Sequence, residues 1–250
     1  MEIGAQFYTI RHFCETPEDF AESIKKVADI GYPTVQISGT CEFEPEWLRD
    51  QLKAAGLRCV LTHTPKKELA GDLAEVARNH DVFGCGYVGL GHYKFAGEGA
   101  HTTEEFLKTY LPVAKELKAH GKYFMYHNHA GEFARENGRV ILDVLAEEVP
   151  ADLMGFTLDT FWVQTGGGDP AAWLLKLAGR VPVIHLKDYA WDGERKMAVL
   201  GEGNINFDRV FEAAEQAGTE YMMVEQDDCG GEDPFACLKR SYDYLKAAGF

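Results

Sequence analysis

The segment LMGFTLDTFWVQTGGGDPAAWLLKLAGRVPVIHLKD (153–188) contains two short apolar runs separated by one helical stretch. The runs LMGFTLD (153–159) and VPVIHLKD (181–188) have the composition of parallel strands that are buried on both faces. Between them, Asp169 is a suitable N-cap and Pro170 a suitable first residue for a helix that extends to Ala178. The segment therefore predicts a strand–helix–strand unit of a parallel sheet.

The same alternation continues on both sides of this segment. Six further apolar runs occur at 3–10, 34–39, 57–63, 87–91, 122–129 and 221–227. Each apolar run other than 153–159 is also followed by a helical stretch, at about 17–30, 45–55, 67–80, 102–120, 138–148, 207–217 and 233–247. A long loop separates the run at 181–188 from the helix at 207–217. Eight units in 250 residues give 250/8, or about 31 residues per unit. We predict one (β/α)8 barrel domain over residues 1–250, with a doubly wound open sheet as the alternative.

Composition limits the classes of function. The chain has 25 Lys and Arg against 40 Asp and Glu, a net charge of −15, which disfavours nucleic acids and anionic membranes as partners. A small-molecule substrate and a homo-oligomer are both compatible with this charge. No run of about 18 apolar residues and no signal-peptide pattern is present, so we expect a cytoplasmic protein. The six scattered cysteines predict free thiols.

Polar residues stand at or near the C-terminal ends of seven of the eight predicted strands. Because these ends meet on one face of a parallel barrel, where barrel enzymes carry their active sites, we predict a site there. The candidates are Gln6, His63, His92, His127, His129, Asp159, His185, Lys187 and Glu225, with Glu132 just beyond the fifth strand.

Three of these residues occupy the last inward positions of consecutive strands. They are Asp159, His185 and Glu225 on the sixth, seventh and eighth strands. A mixed set of nitrogen and oxygen donors suits one divalent ion of Mn, Zn, Co or Fe better than Mg²⁺ or Ca²⁺. His127 on the fifth strand supplies a fourth ligand. A hydrogen-bonded network without metal is the alternative interpretation.

Several motifs together resemble those of a known family. They are YHNHAGEF (126–133), LDTFW (158–162), GGDP (167–170), HLKD (185–188), GEGNINF (201–207) and VEQD (224–227). Over nearly the whole chain the sequence resembles the sugar phosphate isomerase/epimerase family, which has the xylose isomerase-like barrel and is related to endonuclease IV. The resemblance implies a (β/α)8 barrel with one divalent metal, bound by Glu, Asp, His and Glu from strands 5 to 8. Asp159, His185 and Glu225 match that pattern directly.

The fourth position departs from the family pattern, because His127 stands where the family has its first Glu. His127 is then a metal ligand or a base, and Glu132 is a substitute carboxylate that reaches back from the loop. In its YHxH-like context, this histidine resembles the sequence pattern of the inosose dehydratase branch of the family. Trp162 stands where the ketose epimerases have His, and it is expected to form a platform for a sugar ring or a wall of the pocket.

These observations predict a metal-dependent isomerase or epimerase of a sugar, keto-sugar or sugar phosphate, acting through an enediolate. Glu225 is expected to abstract the proton, with His127, His129 or Glu132 as donor. The residues expected to bind substrate are Gln6, His63, His92, His129, Trp162 and Lys187. The alternatives are a metal-dependent dehydratase of a keto-inositol or keto-sugar, and a non-catalytic sugar-binding barrel; a DNA-repair role is opposed by the charge.

Two further expectations concern anionic groups. The glycine-rich segments 166–168 and 201–203 are either turns or loops whose backbone N–H groups hold a phosphate. Lys187 either neutralises an anionic or enolate oxygen of the substrate or forms a salt bridge with Asp188.

Overall fold

Eight parallel strands close into a barrel in the computed structural model, which describes residues 1–250. The strands are β1 Glu2–Gln6, β2 Thr34–Ile37, β3 Arg58–His63, β4 Tyr87–Leu90, β5 Tyr123–His127, β6 Met154–Asp159, β7 Val183–Leu186 and β8 Tyr221–Val224. Each pairs with its neighbours in chain order, and β1 pairs with β8 through Glu2–Tyr221 to Ala5–Val224. The predicted (β/α)8 barrel is therefore confirmed, and the open sheet is excluded.

Ten α-helices surround the barrel. They are α1 Pro17–Ile30, α2 Pro45–Ala55, α3 Lys66–Leu69, α4 Leu73–Val82, α5 Thr103–Ala119, α6 Ile141–Glu148, α7 Thr160–Thr165, α8 Pro170–Lys176, α9 Phe207–Ala217 and α10 Pro234–Ala247. Proline opens α1, α2, α8 and α10, and Gly56 ends α2 in the left-handed conformation at φ 70°. No helix combines the length and the apolar character needed to cross a lipid bilayer.

Four local predictions were wrong. The first strand ends at Gln6, whose side chain accepts the amide of Tyr8 and starts a 3-10 helix over Phe7–Phe13. The helix predicted at 67–80 is two helices, because Asp72 caps a new helix through the amides of Ala74 and Glu75. The run at 181–188 leaves the barrel after Leu186. The long loop that follows it contains an antiparallel hairpin, Asp188–Trp191 with Arg195–Ala198.

A small apolar cluster fills the barrel beneath the polar strand ends. A cluster of Val60, Leu61, Met125, Val183 and Met223 is separate from the large core of 56 residues. Side chains two apart on a strand share a face, so His127, His185 and Glu225 follow Met125, Val183 and Met223 on the same face. The apolar cluster is thus the floor beneath the polar strand ends. All six cysteines are free.

Candidate metal centre and catalytic cavity

Four polar side chains converge where β5 to β8 end. His127, Asp159, His185 and Glu225 each offer one ligand atom, and these atoms all lie within 4.8 Å of one another. None of the four residues is more than 4% exposed. The structure therefore brings together the whole predicted ligand set, from four consecutive strands.

The spacing of the donor atoms fits a bound divalent cation. His185 Nδ1 lies 3.0 Å from Glu225 Oε2 and 3.7 Å from Asp159 Oδ2, and His127 Nε2 lies 3.3 Å from Asp159 Oδ2. Metal–ligand bonds of about 2.0–2.2 Å place adjacent donors of a tetrahedral or octahedral site about 2.8–3.6 Å apart. Little movement is needed for the four side chains to reach one ion.

Hydrogen bonds fix the tautomers of the two histidines. His127 Nδ1 donates to the carbonyl of Gly91 at 2.8 Å, which leaves the lone pair on Nε2 facing Asp159. His185 Nε2 donates to Gln36 Oε1 at 2.7 Å, and its buried Nδ1 makes no hydrogen bond. One ring nitrogen of each histidine and two carboxylates thus face one point, which is the arrangement that outer partners impose on metal-binding imidazoles. The donor chemistry fits a cation of the Mn, Zn, Co or Fe type.

Lys187 is the only cationic side chain other than histidine that is buried beside this cluster. Its Nζ lies 2.6 Å from Asp227 Oδ2, 3.3 Å from Glu225 Oε2 and 3.6 Å from Asp159 Oδ2. The alternative of a salt bridge between Lys187 and Asp188 is wrong, because adjacent residues of an extended chain point to opposite faces. Lys187 shares the face of His185 and therefore meets the carboxylates of the site.

Charges shift the pKa values of these groups in opposite directions. Burial opposes ionisation of Glu225, but Lys187 and His185 outweigh it and hold the pKa of this carboxyl well below its usual range. Burial also lowers the pKa of the His185 ring, yet the Glu225 and Asp159 carboxylates raise it to about 9. Burial, helped by repulsion from Glu225, raises the pKa of Asp227 to about 6. In the absence of another cation, Lys187 and His185 balance the carboxylates.

Asp188 holds the glycine-rich loop that contains segment 201–203, for which phosphate binding was one of the two expectations. Its carboxylate accepts the backbone amides of Tyr189, Gly201, Gly203 and Ile205. The side of Gly203 where a Cβ would lie is filled by Asp188 Oδ1, 2.4 Å from that position, so only glycine fits there. The amides of segment 201–203 are therefore already bonded and do not face a phosphate.

Three further histidines form a neutral wall beside the cluster. Burial, followed by the neighbouring His127, lowers the pKa of His63 well below its usual range and that of His129 to about 2. Burial also lowers the pKa of His92, whose ring lies 4.8 Å from that of His129. His63 Nε2 and His129 Nδ1 have no hydrogen-bond partner in the protein. These imidazoles are suited to bond hydroxyl groups of a ligand.

Most of the predicted site residues line one cavity of about 400 Å³, here called the catalytic cavity. Its lining residues from the prediction are His63, His92, His127, His129, Lys187 and Glu225. Gln6 does not line it, because its fully buried side chain caps the 3-10 helix. Trp162 does not line it either; its ring lies 5.0 Å from the His129 ring and 5.2 Å from Lys187 Nζ.

Glu132 lies away from the cluster. Its fully buried carboxylate accepts the Tyr126 hydroxyl and, at 3.0 Å, the amide of His129. Burial raises its pKa to about 7. The structure thus gives the fourth position of the donor set to His127, and Glu132 instead holds the loop that carries His129.

Three residues of the site were absent from the predicted set. Gln36 holds His185, Asn128 Oδ1 accepts the amide of Asp159 at 3.0 Å, and Asp227 pairs with Lys187. Gln36 carries a usable signal, since it is a polar residue within the buried strand TVQI. Asn128 and Asp227 lie next to predicted residues, but which neighbours they contact depends on the closed barrel.

The family described as xylose isomerase-like TIM barrel matches residues 24–248. The chain belongs to this family. A sugar phosphate isomerase/epimerase structure from Parabacteroides distasonis superposes with a TM-score of 0.80 at 22% identity, covering 99% of this chain and 94% of that one. A structure described as L-ribulose 3-epimerase superposes at 0.77 and 15% identity, covering 99% and 94%.

Among curated members of the xylose isomerase-like family, an inosose dehydratase of Clostridium beijerinckii is 26% identical over 144 residues. The match covers 50% of this chain and 48% of that protein, so the chain spans about half the length of this relative. The family thus includes relatives described as epimerases and as dehydratases, and the fold alone does not choose between them.

Proposed function

We propose that this protein is a metal-dependent enzyme that transfers a proton at the carbon beside the carbonyl group of a keto-sugar, which results in isomerisation or epimerisation. The observation that carries the proposal is the convergence of His127, Asp159, His185 and Glu225 beside the catalytic cavity. A divalent cation held there supplies Lewis acidity to the carbonyl and hydroxyl oxygens of a substrate.

The side chains of the cavity divide the remaining tasks. Glu225 Oε2 faces the donor cluster, whereas its Oε1 has no hydrogen-bond partner and is the group placed to take the proton from carbon. Lys187, held by Asp227, places a positive charge beside the oxygen on which negative charge develops. The neutral His63 and His129 orient hydroxyl groups of the sugar.

Dehydration is the second candidate, and one observation favours it. Epimerisation by two facing carboxylates needs a second Glu, but His127 stands there and its Nδ1 is committed to Gly91. With Glu225 as the single carboxylate base, loss of a β-hydroxyl after proton removal becomes an alternative outcome. The similarity to an inosose dehydratase supports this candidate as well.

The test is a screen in deuterium oxide, followed by NMR. The protein is loaded with Mn²⁺, Zn²⁺ or Co²⁺ and incubated with ketoses, keto-inositols and their phosphates. We expect metal-dependent deuterium incorporation beside a carbonyl, with rearranged product for an isomerase or an enone-type product for a dehydratase. Absence of exchange and of product with every compound and metal would contradict the proposal and favour a non-catalytic sugar-binding barrel.

A further inference from the structure

A second cavity, of about 570 Å³, adjoins the catalytic cavity; it is called the side cavity here. It lies between the segments that follow β2 and β3 and the helix α4. Ser38, His63 and Thr64 line both cavities, and Ser38 Oγ lies 3.2 Å from His63 Nδ1 at their shared wall. The volume is within the range of about 300–1,000 Å³ that is usual for small-molecule sites.

The side cavity begins next to the reacting centre. The His63 ring lies 5.1 Å from that of His127 and 5.6 Å from that of His185. A substituent on a sugar bound beside the donor cluster would therefore pass His63 and enter the side cavity. His63 Nε2, which is buried without a partner, stands at this junction.

The walls of the side cavity combine aromatic rings with carboxylates. Phe43, Trp47 and Phe83 line it, and their electron-rich faces suit the C–H groups of a pyranose ring. Glu42, Glu44 and Glu68 also line it and form no ion pair within the protein, so they are free to accept hydroxyl hydrogen bonds.

The charge of the lining selects against anions. Three carboxylates face the side cavity, and no Lys or Arg is among its 20 lining residues. A phosphate or carboxylate group entering here would meet like charges without a compensating cation, which costs free energy. A polar but uncharged ring meets both acceptors and aromatic faces.

We propose that the side cavity binds a second, uncharged sugar ring, so that the substrate is a keto-sugar with a glycosidic substituent rather than a phosphate ester. The proposal deepens the proposed function and rests on it for the position of the reacting ring. The reacting keto-sugar occupies the catalytic cavity, and the glycosyl group passes His63 to lie among Phe43, Trp47 and Phe83.

Occupancy is tested by fluorescence, which does not depend on catalysis. Cellobiose should quench the emission of Trp47 in a saturable way, whereas glucose 6-phosphate should not. Trp47→Phe identifies the signal, since the other three tryptophans do not line the side cavity. A disaccharide that leaves the emission unchanged, or a phosphate ester that quenches it equally, would overturn the proposal whatever the outcome for the reaction.

Catalysis provides the second test, by filling the cavity. Asn79 lines it from α4, is half-buried and makes no side-chain hydrogen bond, so Asn79→Phe fills space without breaking a contact. The probes are 3-ketoglucose, its 6-phosphate, and cellobiose oxidised at C3 of the non-reducing ring. We expect the variant to raise KM at least 10-fold for the disaccharide and to leave that of the monosaccharide unchanged.

The matched control is Arg78→Phe, an exposed neighbour on the same helix that does not line the cavity. If Asn79→Phe fails to fold, Glu42→Lys, an exposed change, should improve use of the phosphate and weaken use of the disaccharide. Exchange that is equal for monosaccharide and disaccharide in both the native protein and Asn79→Phe would remove the second-ring subsite and leave the proposed function intact. No exchange with any compound of the screen for the proposed function, together with quenching by cellobiose, would instead reject the function and retain the subsite.

Discussion

Gln36 and His185 are joined by a hydrogen bond of 2.7 Å across the interior of the barrel, in which Nε2 of His185 on β7 donates to Oε1 of Gln36 on β2. The two strands are not neighbours in the sheet, since β2 pairs with β1 and β3, and β7 with β6 and β8. Both residues are fully buried. This bond turns Nδ1 of His185 toward Asp159 and Glu225, and thus links the far side of the barrel to the donor cluster.

Replacing Gln36 should therefore weaken metal binding without removing a ligand. We expect Gln36→Met to lower Mn²⁺ or Zn²⁺ affinity by about 10–100-fold, the usual effect of losing the outer partner of a ligating histidine. Isothermal titration calorimetry measures it. Thr157→Val is a matched control, because it removes a buried hydroxyl on β6 that has no hydrogen-bond partner. Equal affinities in Gln36→Met and the native protein would show that the bond does not orient His185.

Asp159→Asn should release metal while the barrel stays folded. The Asp159 carboxylate has two tasks, since Oδ2 faces His127 and His185, and Oδ1 accepts the amide of Trp162 at the start of α7. Asparagine keeps the capping oxygen and loses the charge. We expect a loss of affinity larger than the about 10–100-fold of an outer partner, with unchanged circular dichroism. Metal content that survives Asp159→Asn combined with His185→Ala would show that the ion binds elsewhere.

Glu225→Gln should abolish deuterium exchange into the substrate. The amide has the size of the carboxylate but cannot take a proton from carbon, and part of the metal affinity is expected to remain. NMR of the substrate identified by the screen measures the exchange. Glu220→Gln, a change just before β8 at the opposite end of the strand, is the control. Undiminished exchange would assign the base to the histidines of the cavity instead.

Glu132 should give stability a distinct pH dependence. Its pKa is raised by burial from 4.5 to about 7, so the native state holds a proton between these values that the unfolded chain has released. Its contribution to the unfolding free energy is present below about pH 4.5 and is lost as pH rises to about 7, a decline of roughly 3 kcal/mol.

Glu132→Gln should remove this decline when urea unfolding is followed from pH 4.5 to 8. The variant keeps only one of the two acceptor oxygens, which lowers its stability by about 1 kcal/mol at every pH, so the slope is the diagnostic quantity. The exposed Glu148→Gln is the control. Identical slopes in Glu132→Gln and the native protein would place Glu132 in a more solvated environment.

Asp188→Ala should destabilise the loop at 201–205. The carboxylate bonds four backbone amides, two of them from Gly201 and Gly203, and its removal leaves partly buried donors without partners. We expect the unfolding free energy to fall by roughly 2–4 kcal/mol, since unsatisfied groups cost about 1–3 kcal/mol each. Asp188→Asn retains one acceptor and should lose less. Equal urea midpoints for the native protein and Asp188→Ala would contradict this structural function.

The sequence was sufficient for the architecture and for the donor set. The bounds of α1 and α2 follow from local chemistry, because proline fixes a first turn and glycine permits the left-handed ending. The two-residue period of a strand assigns Asp159, His185 and Glu225 to inward positions, and parallel strands bring their C-terminal ends to one face. Those regularities act over a few residues, so they are visible in the printed sequence.

Only the tertiary structure decided which side chains meet across the barrel. Closure places Gln36 opposite His185, Asp227 rather than Asp188 against Lys187, and Glu132 against Tyr126 instead of the donor cluster. It also creates the side cavity, whose walls come from segments after β2 and β3 and from α4. Such contacts depend on the curvature of the whole sheet and on how long loops pack over it, and neither is encoded in the spacing of residues along a single strand or helix.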